Sequence, residues 1–266
     1  MDVNKLKLKW YGTASVLLEQ NGTRLLFDPF MPINNKLYKT TIEEFSASEH
    51  IFVTHGHYDH ISGIPKVVKY STADITVYCT KKPFDTLIKK GVEKRFLHKI
   101  APGDCLRIEP FKIHVLKGKH IIFDKWLIIK TLCSPRILTN RGNLKQILKN
   151  GKDCDEAGET VVYDICTDDK RILLLGSLNL DDSTEYPKSA DLLVLPLQGR
   201  SDISKYAMDF IRKLQPKKVL LDHFDDSFPP ISSAVDTTTF VSNIKQKHPD
   251  IRVICPQASS NWIDLW

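Results

Sequence analysis

Hydrophobic residues in this chain fall into short runs that polar residues separate. Short runs rich in β-branched residues are typical of strands, whereas apolar residues with a period of 3.6 are typical of a helix. The first pattern predicts a three-stranded meander over 5–30, with Asn21-Gly22 as a turn, and strands over 51–53, 74–78, 105–108, 112–116, 160–166, 172–175, 192–197, 219–221 and 251–254. The second pattern predicts helices over 82–90, 201–214 and 234–246.

The order of these elements indicates the fold class. Strands come in runs and helices lie between some of them, which favours an α/β protein with two sheets packed face to face and helices outside. The 266 residues, 42% of them hydrophobic, suit one such domain with a sizeable core. We therefore predict a single domain over residues 1–266.

The composition of the chain indicates where in the cell the protein is expected. The sequence contains no run of about 18 apolar residues, so no membrane span is predicted. The chain begins with a strand pattern and lacks the apolar region of a signal peptide. The six cysteines are scattered and form no Cys-x-x-Cys pair. This cysteine usage predicts reduced thiols in a cytoplasmic protein. The lack of a predicted span indicates no membrane partner.

The net charge of the chain indicates what kind of molecule it binds. A formal net charge of +6 attracts anions over long range, whether small molecules or nucleic acid. The lysines are dispersed, with no tract of five or more, and this argues against nucleic acid. We expect a small-molecule substrate, with an anionic one favoured.

The densest chemistry lies in the run Thr54-His55-Gly56-His57-Tyr58-Asp59-His60. It directly follows the predicted strand 51–53, so a stiff element would hold its side chains in place. Nitrogen and oxygen donors at this density suit zinc, manganese or iron. The pattern H-x-H-x-D-H is specific enough to predict a metal site.

This run resembles the signature of the metallo-β-lactamase superfamily of metal-dependent hydrolases. Segments 10–15 and 25–30 resemble the opening of one branch, which includes the L-ascorbate 6-phosphate lactonases and the N-acyl phosphatidylethanolamine phospholipases. Segment 221–226 resembles the part that carries the family's last ligand histidine. The resemblance implies a metallo-β-lactamase fold, which is an αββα four-layer sandwich of two mixed β-sheets flanked by helices.

The resemblance also implies a ligand set for one or two ions per chain, with zinc as the first choice and manganese or iron as alternatives. One site would use His55, His57 and His120, and the other Asp59, His60 and His223. Asp28 would orient ligand side chains from behind. His114 is an alternative to His120, although it lies inside a strand pattern where packing is the simpler role.

Ser177 departs from the family pattern. The family usually ends a buried strand with Gly-Asp, and that aspartate bridges two metals, whereas here Gly176 is followed by Ser177. Two cations about 3.5–4 Å apart repel strongly, and a neutral hydroxyl offsets little of that repulsion. We expect one tightly bound ion and a weaker or absent second one, unless Asp181 or Asp182 supplies a carboxylate.

Residues 121–158 form an inserted segment relative to a minimal version of the fold. It contains the apolar run 126–129, and Lys145 and Lys149 are one helical turn apart, which predicts a basic helix face. Three interpretations stay open: a lid, a contact between copies in a homo-oligomer, or a structural extension.

Three functional hypotheses follow. The first is a hydrolase that uses metal-bound hydroxide on a lactone, ester or phosphodiester, with Asp59 as a ligand or proton acceptor in catalysis. The second is a nuclease or RNA-processing enzyme, which needs a basic groove. The third is a non-enzymatic metal-binding member, favoured by Ser177. No Gly-x-Ser-x-Gly motif offers a serine nucleophile instead.

Overall fold

A computed structural model of the protein describes residues 5–34 and 36–266. The strands are β1 Lys7–Gly12, β2 Ser15–Gln20, β3 Thr23–Phe27, β4 His50–Phe52, β5 Thr76–Cys79, β6 Leu97–Lys99, β7 Cys105–Ile108, β8 Phe111–Lys117, β9 Val161–Cys166, β10 Arg171–Leu175, β11 Leu192–Pro196, β12 Lys218–Asp222 and β13 Arg252–Ile254. The helices are α1 Ile42–Ser46, α2 Tyr58–Ile61, α3 Ile64–Tyr70, α4 Lys81–Lys89, α5 Lys125–Leu132, α6 Arg136–Thr139, α7 Arg141–Asn150, α8 Ile203–Leu214 and α9 Thr238–Lys247.

The strands form two mixed sheets. The first sheet runs β1-β2-β3-β4-β5-β6, antiparallel over its first three strands and parallel from β3 to β6. The second sheet runs β13-β12-β11-β10-β9-β8-β7, parallel from β10 to β13 and antiparallel from β7 to β10. The predicted fold class, two mixed sheets with flanking helices, is confirmed.

Successive side chains of a strand point to opposite faces of its sheet and therefore pack in different layers of the fold. In β10, Ile172 and Leu174 belong to the core between the sheets, whereas Leu173 and Leu175 pack in the cluster that includes α8. A strand that is buried on both faces has a continuous run of apolar residues. This explains why polar and apolar residues do not alternate in β10. Tyr163 lies between the sheets, and its hydroxyl donates to the carbonyl of Val53 at 2.6 Å.

The predicted strands and helices are found with shifts of a few residues at their ends. Asn21 and Gly22 both have positive φ angles, 54° and 82°, as a tight hairpin turn requires. Helices α5 and α6 were not predicted from the sequence, whereas α7 carries the predicted Lys145 and Lys149. Among residues 5–34 and 36–266, no helix is both long enough and apolar enough to cross a bilayer.

One edge of the sandwich gathers the residues of interest. Each of them follows the C-terminal end of a strand: Asp28 follows β3, the run 54–60 follows β4, His120 follows β8, Ser177 follows β10 and His223 follows β12. The two sheets are joined there, because the amide of His223 donates to the carbonyl of Thr13 at 2.8 Å and that of Val161 donates to Thr54 at 2.9 Å.

Candidate metal centre

Asp28 holds the histidine-rich loop in place. Its fully buried carboxylate accepts hydrogen bonds from the amide of Thr54 at 2.8 Å and from the Thr54 hydroxyl at 2.6 Å. It also contacts Nδ1 of His60 at 2.8 Å. A single carboxylate thus fixes both the start of the loop and one ring within it, as the orienting role implied for Asp28 requires.

Three histidines form the first group of candidate ligands. The ligand atoms of His55, His57 and His120 all lie within 4.8 Å of one another. Nε2 of His55 is 3.1 Å from Nδ1 of His57. Nδ1 of His120 lies 2.8 Å from the carbonyl of Ile121, and donation to that oxygen leaves the Nε2 lone pair free to bind an ion.

Asp59, His60 and His223 form the second group, and their ligand atoms also lie within 4.8 Å of one another. Oδ2 of Asp59 is 2.9 Å from Nε2 of His223 and 3.7 Å from Nε2 of His60. The Asp28 contact to Nδ1 of His60 leaves Nε2 of that ring directed at the group. His223 adopts a left-handed backbone, with φ of 54°, which non-glycine residues rarely do.

The two groups adjoin. The rings of His55 and His60 have centroids 3.9 Å apart, and those of His60 and His223 are 5.6 Å apart. The six side chains expected as ligands therefore converge on one small volume, drawn from loops of both sheets. Their role as ligands stays a prediction.

Burial controls the protonation of the first group. It lowers the pKa of His55 well below the usual value, and nearby imidazoles lower it further. Burial likewise lowers the pKa of His57, and it is the main cause of a lowering to about 4 at His120. All three rings are neutral at pH 7, which is the form that binds a metal ion.

Asp59 and His223 shift one another in opposite directions. Burial alone would raise the pKa of Asp59, but its electrostatic interactions with the rings of His60 and His223 outweigh burial and lower that pKa. Burial would lower the pKa of His223, but its hydrogen bond to Asp59 outweighs that effect and raises the pKa to about 9. The pair is a buried salt bridge at neutral pH, and an ion bound there would displace the His223 proton.

The donor set fits a transition metal. Two nitrogens bound to a tetrahedral zinc at 2.0–2.1 Å lie roughly 3.4 Å apart. The separation of 3.1 Å between the His55 and His57 nitrogens is close to that value. Five imidazoles and one carboxylate suit zinc, iron or manganese rather than magnesium or calcium, which prefer oxygen ligands.

Ser177 follows β10 and contacts the loop that carries His120. It is buried, and its hydroxyl accepts a hydrogen bond from the amide of Ile121 at 3.0 Å. Neither alternative carboxylate reaches the site: Asp181 binds Lys117 at 2.9 Å, and Asp182 is exposed beside Lys119. No other carboxylate therefore joins the two groups found among the described residues.

Two further results concern residue assignment. His114 lies on β8 opposite Cys105 and Asp164 and belongs to neither candidate ligand group, which favours His120 as the third ligand of the first group. Thr54 was not singled out from the sequence, yet its hydroxyl lies 2.6 Å from Asp28 and within 3.2 Å of Nδ1 of both His55 and His60. In the sequence, the sign of this role is the position of Thr54 directly before His55.

This chain is similar to known proteins in sequence and in fold. The sequence model of a family described as "Beta-lactamase superfamily domain" matches residues 7–223, a range that includes all six candidate ligands. A relative named "UPF0173 metal-dependent hydrolase" from Methylocella silvestris is 37% identical over 70 residues, which are 26% of this chain and 30% of that relative. The chain thus matches under a third of that relative's length.

Two longer matches extend the likeness. A "UPF0173 protein" of Pyrococcus furiosus is 22% identical over 220 residues, covering 82% of this chain and 83% of the relative. The solved structure of Igni18, titled a novel metallo hydrolase from Ignicoccus hospitalis, superposes with a TM-score of 0.62 at 18% identity, over 97% of both chains. With the family match over most of its length, the chain belongs to the metallo-β-lactamase superfamily.

Proposed function

We propose that this protein is a metal-dependent hydrolase whose active site is the six-residue cluster at the edge of the two sheets. The observation that carries the proposal is the pair of adjoining ligand groups, His55, His57 and His120 beside Asp59, His60 and His223. A purely structural zinc site needs four ligands, which fill all its coordination positions, whereas this cluster offers six candidate ligands around one volume. The family membership and the names of the relatives support the same activity.

Zinc is the ion we propose for the first group, because its three neutral imidazoles provide the nitrogen donors that zinc favours. Iron and manganese are the alternatives. When bound, such an ion makes hydroxide available near pH 7 and polarises the substrate oxygen. Imidazole ligands add no negative charge, and this keeps the ion strongly electron-withdrawing.

The chain's own groups complete the chemistry. Asp59 is the candidate catalytic residue, because its ionised carboxylate is positioned to accept a proton from the attacking water or to bind the second ion. His60 is oriented by Asp28, and His223 is fixed by its amide hydrogen bond to Thr13. Rigid positioning of both rings keeps the site assembled while substrate enters.

We propose a small molecule as the substrate, and a lactone, carboxylic ester or phosphodiester as its class. The resemblance of segments 10–15 and 25–30 to lactonases and phospholipases favours the first and last of these. The net charge of +6 favours an anionic form. We place the protein in the cytoplasm, since all six cysteines are free thiols rather than disulfides.

A test uses protein stripped with a chelator and reloaded separately with zinc, manganese or iron. Each form is assayed on lactones, carboxylic esters and phosphodiesters. We expect turnover on at least one class, loss of turnover on chelation, and a fall of roughly 10²–10⁴-fold for Asp59→Asn. Asp182→Asn is the matched control, because Asp182 is exposed and lies outside the cluster.

The outcomes separate the competing hypotheses. No turnover on any class with any metal would favour the non-enzymatic metal-binding alternative. Activity that survived both chelation and Asp59→Asn would remove the metal and Asp59 from the mechanism. Turnover confined to RNA or DNA would favour the nuclease alternative.

A further inference from the structure

Residues 122–152, here called the helical arm, contain α5, α6 and α7. The arm begins directly after His120 and Ile121. Phe123, its second residue, has its ring centroid 5.6 Å from that of His120. The chain returns to the cluster after α7, where a Cβ on Gly56 would lie only 2.3 Å from the carbonyl oxygen of Asp155. The arm therefore starts at one side of the metal centre and ends at another.

A third attachment lies between these two ends. Arg136, in α6, donates to the carboxylate of Asp226 at 2.5 Å and to the carbonyl of Ser232 at 3.1 Å. Asp226 lies three residues after the candidate ligand His223. The arm is thus joined to three loops around the cluster, namely those that carry His120, His57 and His223, and it has an exposed outer surface.

That outer surface is unusually apolar. No residue of α5, α6 or α7 is buried. Of the twelve exposed large hydrophobic residues among the described part of the chain, eight lie in the arm. They are Ile122, Phe123, Trp126, Ile128, Ile129, Leu132, Leu138 and Leu148. Such a concentration marks an interaction site, whereas single exposed apolar residues need no explanation.

The exposed apolar residues of α5 share one face. Ile128 and Leu132 are four positions apart, and Ile129 and Trp126 are three apart, so they form neighbouring ridges on the helix. The opposite face, with Leu127 and Thr131, is half-buried and rests on the protein. Trp126 and Leu132 are each 67% exposed, which places the apolar face of α5 outward.

Charge identifies what can cover this surface. From residue 122 to residue 152 the sequence contains seven basic residues and one acidic residue, Asp124, whose carboxylate accepts hydrogen bonds from the amides of Leu127 and Ser201. Arg136 is neutralised by Asp226. Among the described residues, no carboxylate lies within ion-pair distance of the other six, which are Lys125, Lys130, Arg141, Lys145, Lys149 and Lys152. On α7, Leu148 lies on the same exposed side as Arg141 and Lys145.

We propose that the helical arm docks on the surface of a lipid bilayer that contains anionic headgroups. A helix with exposed Trp, Leu and Ile beside Lys and Arg lies in the bilayer interface, where apolar side chains enter the acyl boundary and cations meet headgroups. A second copy of the chain is a poorer occupant, since a symmetric contact would oppose the unpaired cations of both arms. Nucleic acid would match the charge but leave the aliphatic side chains in water.

This proposal goes beyond the hydrolase function and departs from the sequence prediction of no membrane partner. That prediction was based on the lack of an apolar run long enough to span a bilayer, and interfacial docking needs no such run. Because the arm begins beside His120, docking would place the metal centre at the membrane surface. It would do so whether or not the centre is catalytic.

The test is sedimentation of the full chain with vesicles of phosphatidylcholine alone or of phosphatidylcholine mixed with phosphatidylserine. We expect binding only to the mixed vesicles, weakened by salt, with a blue shift of tryptophan emission that Trp126→Phe removes. The double variant Lys145→Gln with Lys149→Gln should bind roughly 25-fold more weakly. Lys245→Gln with Lys247→Gln, on the exposed side of α9, is the matched control and should bind like the unmodified protein.

Several results would overturn the proposal. No sedimentation with either vesicle, or equal loss of binding in both double variants, would remove the arm as a membrane surface. Light scattering that showed a dimer dissociated by Leu132→Ser would assign the surface to a second copy. Retention of RNA or DNA in place of vesicles, lost with the Lys145 and Lys149 changes, would assign it to nucleic acid. Metal content measured in the same samples shows whether each variant is folded.

Discussion

The Oδ2 atom of Asp28 lies 2.8 Å from Nδ1 of His60, although 32 positions separate the two residues in the chain. The contact joins the end of β3 to α2, the short helix that follows β4. It selects the ring tautomer of His60 in which Nδ1 carries the proton and Nε2 is free. The same carboxylate holds Thr54, so one buried group orients the loop and the ring together.

The first prediction concerns this contact. Asp28→Asn keeps the shape of the side chain but removes the negative charge that polarises His60. We expect metal affinity to fall by roughly 10–100-fold, the usual cost of losing a partner behind a ligand histidine. Competition with a chromophoric chelator measures it. Asp168→Asn, at an exposed position, should leave affinity unchanged. Equal affinity in both variants would contradict the orienting role.

The second prediction separates His114, within β8, from His120, which follows that strand. His120→Ala should remove one bound ion, because it deletes a third of the first ligand group. His114→Ala should retain the full metal content, since that ring lies within the strand and outside both groups. Elemental analysis of the purified variants gives ions per chain. The idea fails if the metal content falls with His114→Ala and not with His120→Ala.

Ser177 is the subject of the third prediction. The unmodified protein should hold one tight ion and a weaker second one, because no bridging carboxylate offsets the repulsion of two cations. Ser177→Asp should raise the occupancy of the second ion, and Ser177→Asn should not, since an amide adds no charge. Two ions per chain bound equally tightly in the unmodified protein would exclude this explanation.

The fourth prediction concerns packing beneath the cluster. A Cβ on Gly176 would lie 2.2 Å from Cβ of Thr54, which Asp28 holds in place. Gly176→Ala should therefore destabilise the protein by about 1–3 kcal/mol. Gly142→Ala is the control, because nothing lies within 4 Å of a Cβ there and the helix α7 gains an alanine. Thermal unfolding that lowered Tm equally in both would refute the packing explanation.

Local pattern explains why much of the site could be predicted. The run His55 to His60 directly follows β4, so strand pattern and ligand spacing were visible in one segment. The grouping of His120 and His223 with this run came from the resemblance to a family, since spacing alone cannot bring distant loops together. The structure brings them within one volume.

Long-range contacts explain the remainder. Asp181 was an alternative bridging residue by sequence distance, but Lys117 from another strand end holds it elsewhere. Thr54 looks like an ordinary strand-ending residue until Asp28 is seen 2.6 Å from its hydroxyl. Helix α5 was missed because it lacks a buried stripe, the feature by which a helix of a globular protein is usually recognised.

The origin of the candidate ligands in two sheets has a thermodynamic consequence. His55, His57, Asp59 and His60 follow a strand of the first sheet, whereas His120 and His223 follow strands of the second. An ion that needs both sets binds the assembled sandwich far better than the unfolded chain. Free ion at a hundred times its Kd would add about 2.7 kcal/mol to the free energy of unfolding. Metal supply in the cell would then govern how long each molecule survives degradation, in addition to what it can catalyse.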